Sequence, residues 1–459
     1  MKATKKLRRW TLGAVAALML GSCDILEQPV VNQVLDVEAL SNGEQAIYAG
    51  RGLMNSLQGG GMYGQQYITM TGTLSDEMRH SGSFLENQQF DLNEVQANNF
   101  AIPGIYGSIF SVAYQANIML ERVPLIPADK ITEDEITLVT GQAYFARGLA
   151  FLQGVSLWGD FCMPLTSDFD ANLIITRSPK AEVLAQVIKD FQEAEKRLPA
   201  IARREDRVMP SSTAAKALLS RVYLMTGQYA EAERYATEVI ALFDPLDKNS
   251  GGRYDYDFES LWVAENGTSN ESIFEIAFSA IDGNSLAFFM ERASAGGRYE
   301  FAPAPEILTL LRNKGGVRLG SSVRGSGTTA VVRKYRDIQN GADRVKVVRL
   351  AEMYLNRAEA RAQLANRSGA VEDLLTVRRR AQASTLVSGT DDILQLIFEE
   401  RAVEFAFEGH RWYDLQRSGT IGDVMGSVNP DTWQETDALL PIPERELQLN
   451  PGMIQNPGY

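Results

Sequence analysis

Apolar residues recur three and four positions apart through most of the chain, and that spacing predicts helices. The stretch 36–57 carries such a stripe, with Ser41 placed as N-cap and Glu44 at the capping-box position. In 105–123, Ile105, Ile109, Val112, Ala116 and Met119 share one face. In 133–158 the stripe includes Ile136, Val139, Ala143, Ala146, Ala150 and Leu157, and its small residues predict close helix–helix approach. A fourth helix is expected over 181–198, stopped by Pro199.

Residues 212–240 read as a helical hairpin with Gly227 supplying the positive φ of the turn. Leu219, Tyr223, Gly227, Tyr229 and Ala232 fall where a tetratricopeptide repeat places its packing residues. A comparable hairpin is expected over 350–381. Such hairpins cannot bury both faces alone and must stack on neighbours. Between them the pattern changes. Residues 243–299 and 315–343 are rich in Gly, Asn, Asp or Ser, with one strand-like run over 272–278. The expectation is a mainly α protein: a scaffold of tetratricopeptide-type helical hairpins, long loops and a few short strands.

The N-terminus reads as an address. MKATKKLRRW is strongly positive, and the apolar TLGAVAALML after it is too short to span a bilayer. Leu20-Gly21-Ser22-Cys23 follows, the pattern that lipoprotein signal peptidase requires: small residues before the cut and a thiol to carry diacylglycerol. The division expected is a signal peptide over 1–22, a lipidated tether over 23–35, an N-terminal helical region over 36–245 and a C-terminal region over 246–459, the last two packed as one body. Acyl chains on Cys23 would anchor the chain to a membrane.

Composition narrows the chemistry. Apolar residues make up 45% and charged residues 22% of the 459, ordinary values for a globular protein. The formal net charge is -13, and the signal peptide carries five Lys/Arg and no acid, so the mature chain is more acidic still. Phosphate backbones repel such a chain, and no nucleic-acid partner is expected. With Cys23 acylated, Cys162 is left alone for any intrachain disulfide, and its apolar setting reads as that of a small buried hydrophobe.

Catalytic and metal motifs are missing. The two histidines, His80 and His410, lack a second His at metal-ligand spacing, and no G-x-S-x-G elbow exists. Residues 59–64 satisfy G-x-G-x-x-G, but the segment before them reads as helix and no clear helix follows, so a flexible loop is expected. Glu400, Glu404 and Glu408 stand four apart with Arg401 and Arg411 between and beyond them, and read as salt-bridged helix packing. Neither a cofactor nor a metal is expected.

Several segments together resemble the SusD/RagB family of nutrient-uptake lipoproteins of Bacteroidota. GQAYFARGLAFLQGVSLWGD (141–160) is similar to the family's early helix and its Leu-Trp/Phe-Gly-Asp turn. The 272–278 run and Arg333-Lys-Tyr-Arg336 match its middle, and VVRLAEMYLNRAEA (347–360) its most recognisable helix. FEERAVEFAFEGHRWYDLQR (398–417) resembles its signature, and LLPIPERELQLNPGMIQNPGY its close. The resemblance departs at Asn99-Phe100-Ala101, where a Trp is common, and the chain is short for the family, which implies a trimmed loop.

The resemblance implies a non-catalytic protein on the outer face of the outer membrane. It would capture an oligosaccharide, or in some members a peptide, for a TonB-dependent transporter of the SusC type. Sugars stack their C–H faces on aromatic planes while amides and guanidinium groups take the hydroxyls. Loop aromatics are therefore the ligand candidates: Tyr63, Tyr67, Phe84, Phe90, Phe288, Phe289 and Tyr299, with Arg79 and Asn87 as polar partners. Two other readings are a surface-anchored glycoside hydrolase and a tetratricopeptide adaptor that binds peptide.

Overall fold

The computed structural model describes residues 40–200, 207–243, 246, 257–263 and 269–459. The signal peptide, Cys23 and the tether expected at 1–35 lie outside them.

Among the described residues, nine principal helices carry the scaffold: α1 Gly43–Ser56, α2 Ile102–Arg122, α3 Glu133–Trp158, α4 Lys180–Arg197, α5 Ser212–Met225, α6 Tyr229–Ile240, α7 Leu350–Gln363, α8 Arg367–Arg380 and α9 Ile393–Glu404. From α2 onward each packs on the next, and α1 lies on α2 and α3. The described residues from 42 to 459 form one compact unit. The chain is mainly helical, as its sequence predicts.

Local chemistry sets the helix ends. Thr132 and Glu135 form a reciprocal capping box, the Thr132 hydroxyl accepting from Glu135 N at 3.2 Å and the Glu135 carboxylate from Thr132 N at 2.8 Å. That box starts α3, and Gly159, at φ 69°, ends it. The small residues of α3 do permit close approach. A Cβ on Gly154 would lie 2.5 Å from the Phe161 ring. Gly227 takes φ 71° between α5 and α6, where Tyr223 and Tyr235 stack at 5.6 Å. At α1 the cap is Asn42 rather than Ser41: its extended backbone lets the side chain accept from Gln45 N at 3.0 Å.

Bidentate arginine–carboxylate pairs clamp the array. Arg147 of α3 grips Asp190 of α4 at 2.9 and 2.7 Å, Arg221 of α5 grips Glu352 of α7 at 2.6 Å, and Arg357 of α7 grips Asp373 of α8 at 2.9 and 2.7 Å. The described strands form four two-stranded antiparallel ladders. β1 (Met78–His80) pairs with β3 (Phe301–Pro303), and β2 (Ser272–Ile276) with β4 (Val345–Arg349). Among the described residues no helix is long and apolar enough to cross a membrane.

The signature region builds a buried charge network. Glu404 accepts from Arg318 at 2.7 Å and also pairs with Arg349 and Arg380. Glu400 pairs with Arg318 and Arg378 at 2.6 and 2.8 Å, and Glu408 with Arg349 and Lys334 at 2.9 and 2.6 Å. The partners of the three glutamates therefore come from other elements, not from Arg401 and Arg411. Arg401 holds Asp414 at 2.9 Å and Arg411 holds Asp76 at 2.7 and 2.8 Å. Glu408 also lies beyond α9: the chain leaves the helix at Glu404, and Phe407 at φ 67° and Gly409 at φ 79° turn it back. Burial opposes the charge on Glu404, but Arg380, Arg349 and Arg318 more than offset it and hold the carboxyl well below its usual range. Burial, with Arg221 and Arg401 nearby, holds His410 far below the usual histidine range, hence neutral.

Candidate ligand-binding face

The β1–β3 ribbon joins segments more than 200 positions apart, setting Arg79 opposite Ala302 and His80 opposite Phe301. Glu300, just before β3, is fully buried. Its carboxylate accepts from Phe84 N at 2.8 Å, Ser83 N at 3.3 Å and the Asn87 amide at 3.3 Å, and lies 3.1 Å from His80 Nε2. Burial pushes the Glu300 carboxyl up, but the backbone donors of Phe84 and Ser83 and the His80 and Asn87 side chains outweigh it and hold the group ionised, below its usual range. The carboxylate comes so close to Gly82 that a Cβ there would sit 2.0 Å from it. Glu300 thus seats the start of the short helix Leu85–Asp91 on the ribbon.

What this hub holds up faces water. The Phe84 ring is half-buried, with the Arg298 guanidinium 3.8 Å from its centroid. Phe288, on the short helix Leu286–Met290, is 39% exposed and meets Phe289 edge-on at 5.3 Å; Phe289 backs onto Phe301 at 6.3 Å. Tyr299 takes φ 56°, its hydroxyl donates to Ala330 O at 2.8 Å, and Arg292 covers its ring at 4.3 Å. The structure therefore gathers Arg79, Phe84, Asn87, Phe288, Phe289 and Tyr299 around one ribbon.

Three candidates point the other way and are corrected. Tyr63 and Tyr67 are buried as an edge-on pair 5.6 Å apart, and Phe90 is fully buried on the inner side of its helix. None of the three presents a ring face to solvent. The glycine-rich stretch before them is a wound turn, not a flexible loop: Gly64 N donates to Gly59 O at 3.1 Å, and a Cβ on Gly61 would lie 2.2 Å from Gly104 O. A helix, Gln66–Leu74, does follow it and contains Tyr67. Burial pushes the Tyr67 hydroxyl up to about 12. Asn87 is on the face's inner side, its amide spent on Glu300, and Arg79 is half-buried with its Nε unpartnered.

Phe100, next to this face, is not among the residues expected from the sequence. Phe100 is 88% exposed, and the Asn99 amide ties its loop to the helix Leu85–Asp91 by donating to Glu86 O at 3.0 Å and Gln89 at 2.7 Å. The signal was present: Phe100 follows a run of asparagines at the site where the family resemblance departs. Two further carboxylates stand here: Glu291 is engaged by Arg292 N and Arg324, and Asp91, against His80 and Arg79, is pushed up to about 6 by burial. Chemically the face offers exposed rings and cationic donors around an occupied carboxylate.

The geometry is that of a stacked-hairpin helical scaffold that carries a loop-built aromatic face. Comparison with known proteins says which one. Residues 35–224 match the family model described as starch-binding, associating with outer membrane, and residues 309–459 match that of the SusD family. The chain is similar to SusD-like protein P2 of Formosa agariphila, 26% identical over 96% of this chain and 97% of that one, and to a SusD-like protein of Bacteroides ovatus, 24% identical over 71% and 67%. Its fold is that of a laminarin-binding SusD-like protein (TM-score 0.79, 22% identity, 91% of this chain and 100% of that one) and of a SusD homolog from Bacteroides thetaiotaomicron (TM-score 0.79, 19% identity, 93% and 99%). The chain belongs to the SusD/RagB family.

Proposed function

We propose that the chain is an outer-membrane surface lipoprotein, anchored through Cys23, that captures an oligosaccharide and delivers it to a TonB-dependent transporter of the SusC type. The observation that carries this reading is the aromatic face held on Glu300, where Phe84 and Phe288 offer rings to water beside Arg298, with Phe100 exposed on the loop tied to the same short helix. Flat apolar rings next to guanidinium donors match the alternating C–H faces and hydroxyls of a glycan. A protein with the same fold is described as laminarin-binding, and the matched family as starch-binding and outer-membrane-associated; both favour a glycan over a peptide.

The protein acts by holding its ligand, not by cleaving it. Glu300 already accepts hydrogen bonds from four donors, which leaves it poorly suited to general acid or base work. Tyr63, Tyr67 and Phe90 serve the core under this face, and Tyr299, Phe289, Asn87 and Arg79 hold its shape or supply polar contacts at its edge. The test is calorimetric titration of protein lacking Cys23 against a panel of oligosaccharides, with reducing-end release measured alongside. Saturable binding without turnover is expected. Release of reducing ends would overturn the reading in favour of a hydrolase, and binding of peptides alone would overturn the glycan assignment.

A further inference from the structure

A second surface, lined by none of the residues assigned to the ligand-binding face, is built for a partner. An open cavity of about 270 Å³ lies between α2, the excursion 161–178 and the C-terminal segment. Its floor is Tyr106, Phe110, Cys162 and Met453. That floor is rigid: Phe110 stacks on Phe161 at 5.1 Å, and Tyr106 meets Trp158 edge-on at 5.1 Å. Burial pushes the Cys162 thiol up to about 11, so it is a neutral wall atom.

The rim is apolar and exposed. Tyr114, Phe169, Leu173 and Leu449 line it at 47%, 70%, 51% and 64% exposure. Leu165, Ile174 and Ile454 are exposed directly beside other lining residues. The short helix Phe169–Leu173 buries none of its residues, so its apolar side chains lack a covering partner within the described chain. Yet the excursion is fastened: the Asn117 amide donates to Pro164 O at 2.9 Å and Thr166 O at 3.1 Å, and Ser167 N donates to Glu121 at 2.9 Å. A contiguous apolar patch held out on a fixed frame is the mark of an interaction site.

Charge selects the occupant. The Glu446 carboxylate lines the cavity and has no ion pair among the described residues, and Asp168, Asp170 and Glu444 stand next to its lining segments in the chain. Arg177 is turned inward onto the carbonyls of Asp160 and Ile454, and Arg445 is an exposed cation between Glu444 and Glu446 in the chain. An acidic rim repels anionic lipid headgroups and favours a basic protein surface. Resting on the function proposed above, we infer that this cavity is where the transporter docks, receiving a loop with an apolar anchor side chain flanked by Lys or Arg. A central anchor in a desolvated pocket inside a charged rim is how protein interfaces concentrate their affinity.

The experiment uses the full, lipidated chain co-expressed with a SusC-type transporter of its source organism, with recovery of the barrel on the tagged lipoprotein quantified by mass spectrometry. Phe169→Asp combined with Leu173→Asp is expected to cut recovery by on the order of tenfold or more, and Glu446→Lys by a smaller factor. Both substituted positions are solvent-exposed, so melting and oligosaccharide binding should stay at wild-type values; the milder Phe169→Ala guards against a folding artefact and should also reduce recovery. If the wild-type chain recovers no transporter, the delivery function and this surface both fall. If the wild type recovers it and the variants recover it equally, the surface alone falls, even if the cavity takes up small apolar solutes.

Discussion

Two buried glutamates organise this molecule, and they do it in opposite directions. Glu404 collects three guanidinium groups, Arg318, Arg349 and Arg380, and everything it holds faces inward. Glu300 collects two backbone N–H groups and two side chains, and what it holds, the Phe84 loop and the ribbon, faces water. The first ties α7, α8 and α9 into a frame. The second turns two loops into a surface. The residues by which the family is recognised in sequence therefore belong to the frame, and the residues proposed to meet a ligand lie elsewhere.

Removing charge from the frame should have the largest effect. Glu404→Gln leaves three buried guanidinium groups short of a counter-charge and should destabilise the fold by about 3–5 kcal/mol, measured by urea unfolding. The wild-type contribution has a pH signature. Because the folded Glu404 carboxyl is held below the usual 4.5, its stabilisation is complete above that pH and is lost as pH falls through and below it. Frame stability should fade on acidification, and Glu404→Gln should abolish that component.

Glu77 supplies the opposite sign. It lies at the foot of the ribbon, its carbonyl accepting from Ala304 N at 2.9 Å, and burial together with the neighbouring Asp76 pushes its carboxyl up to about 8. A group whose folded value lies above its unfolded one favours folding below 4.5 and loses that contribution as pH rises to about 8. Glu77→Gln should remove this loss, making the protein more stable than wild type by a few kcal/mol, on the order of the shift, near pH 8. Thermal melts at pH 5 and pH 8 give the comparison directly.

On the surface the effects are smaller and fall on binding. Phe288→Ala or Phe84→Ala should weaken oligosaccharide affinity by about 1–2 kcal/mol, roughly 5- to 30-fold, with melting nearly unchanged for the exposed Phe288. The smallest effect is expected at the buried pair: Tyr67→Phe should leave affinity within about twofold, since its ring reaches no ligand. A large loss of affinity there would erase the distinction between frame and face.

The frame was largely legible in the sequence because local rules specify it. The apolar stripe over 133–158 marked α3, Gly227 marked the hairpin turn, and small residues marked the tight α3 contacts. Where local rules competed, details slipped: Asn42 displaced Ser41 as cap, and Phe407 and Gly409 took Glu408 off the helix. The face was only partly legible. Glycine-rich composition suggested exposure for Tyr63 and Tyr67, whereas Gly61 is there so that one backbone can touch another. Periodicity does not reveal that residues 78–80 pair with 301–303, and without that pairing Phe84 and Phe288 have no reason to be read as neighbours.

The most direct test of the account is titration of the protein lacking Cys23, wild type against Phe84→Ala combined with Phe288→Ala, with the oligosaccharide that binds best in the panel. The account predicts saturable binding by the wild type, loss of most of that affinity in the double variant, and an intact urea-unfolding transition in both. Equal affinity in the two proteins, or no binding to any oligosaccharide by the wild type, would contradict it.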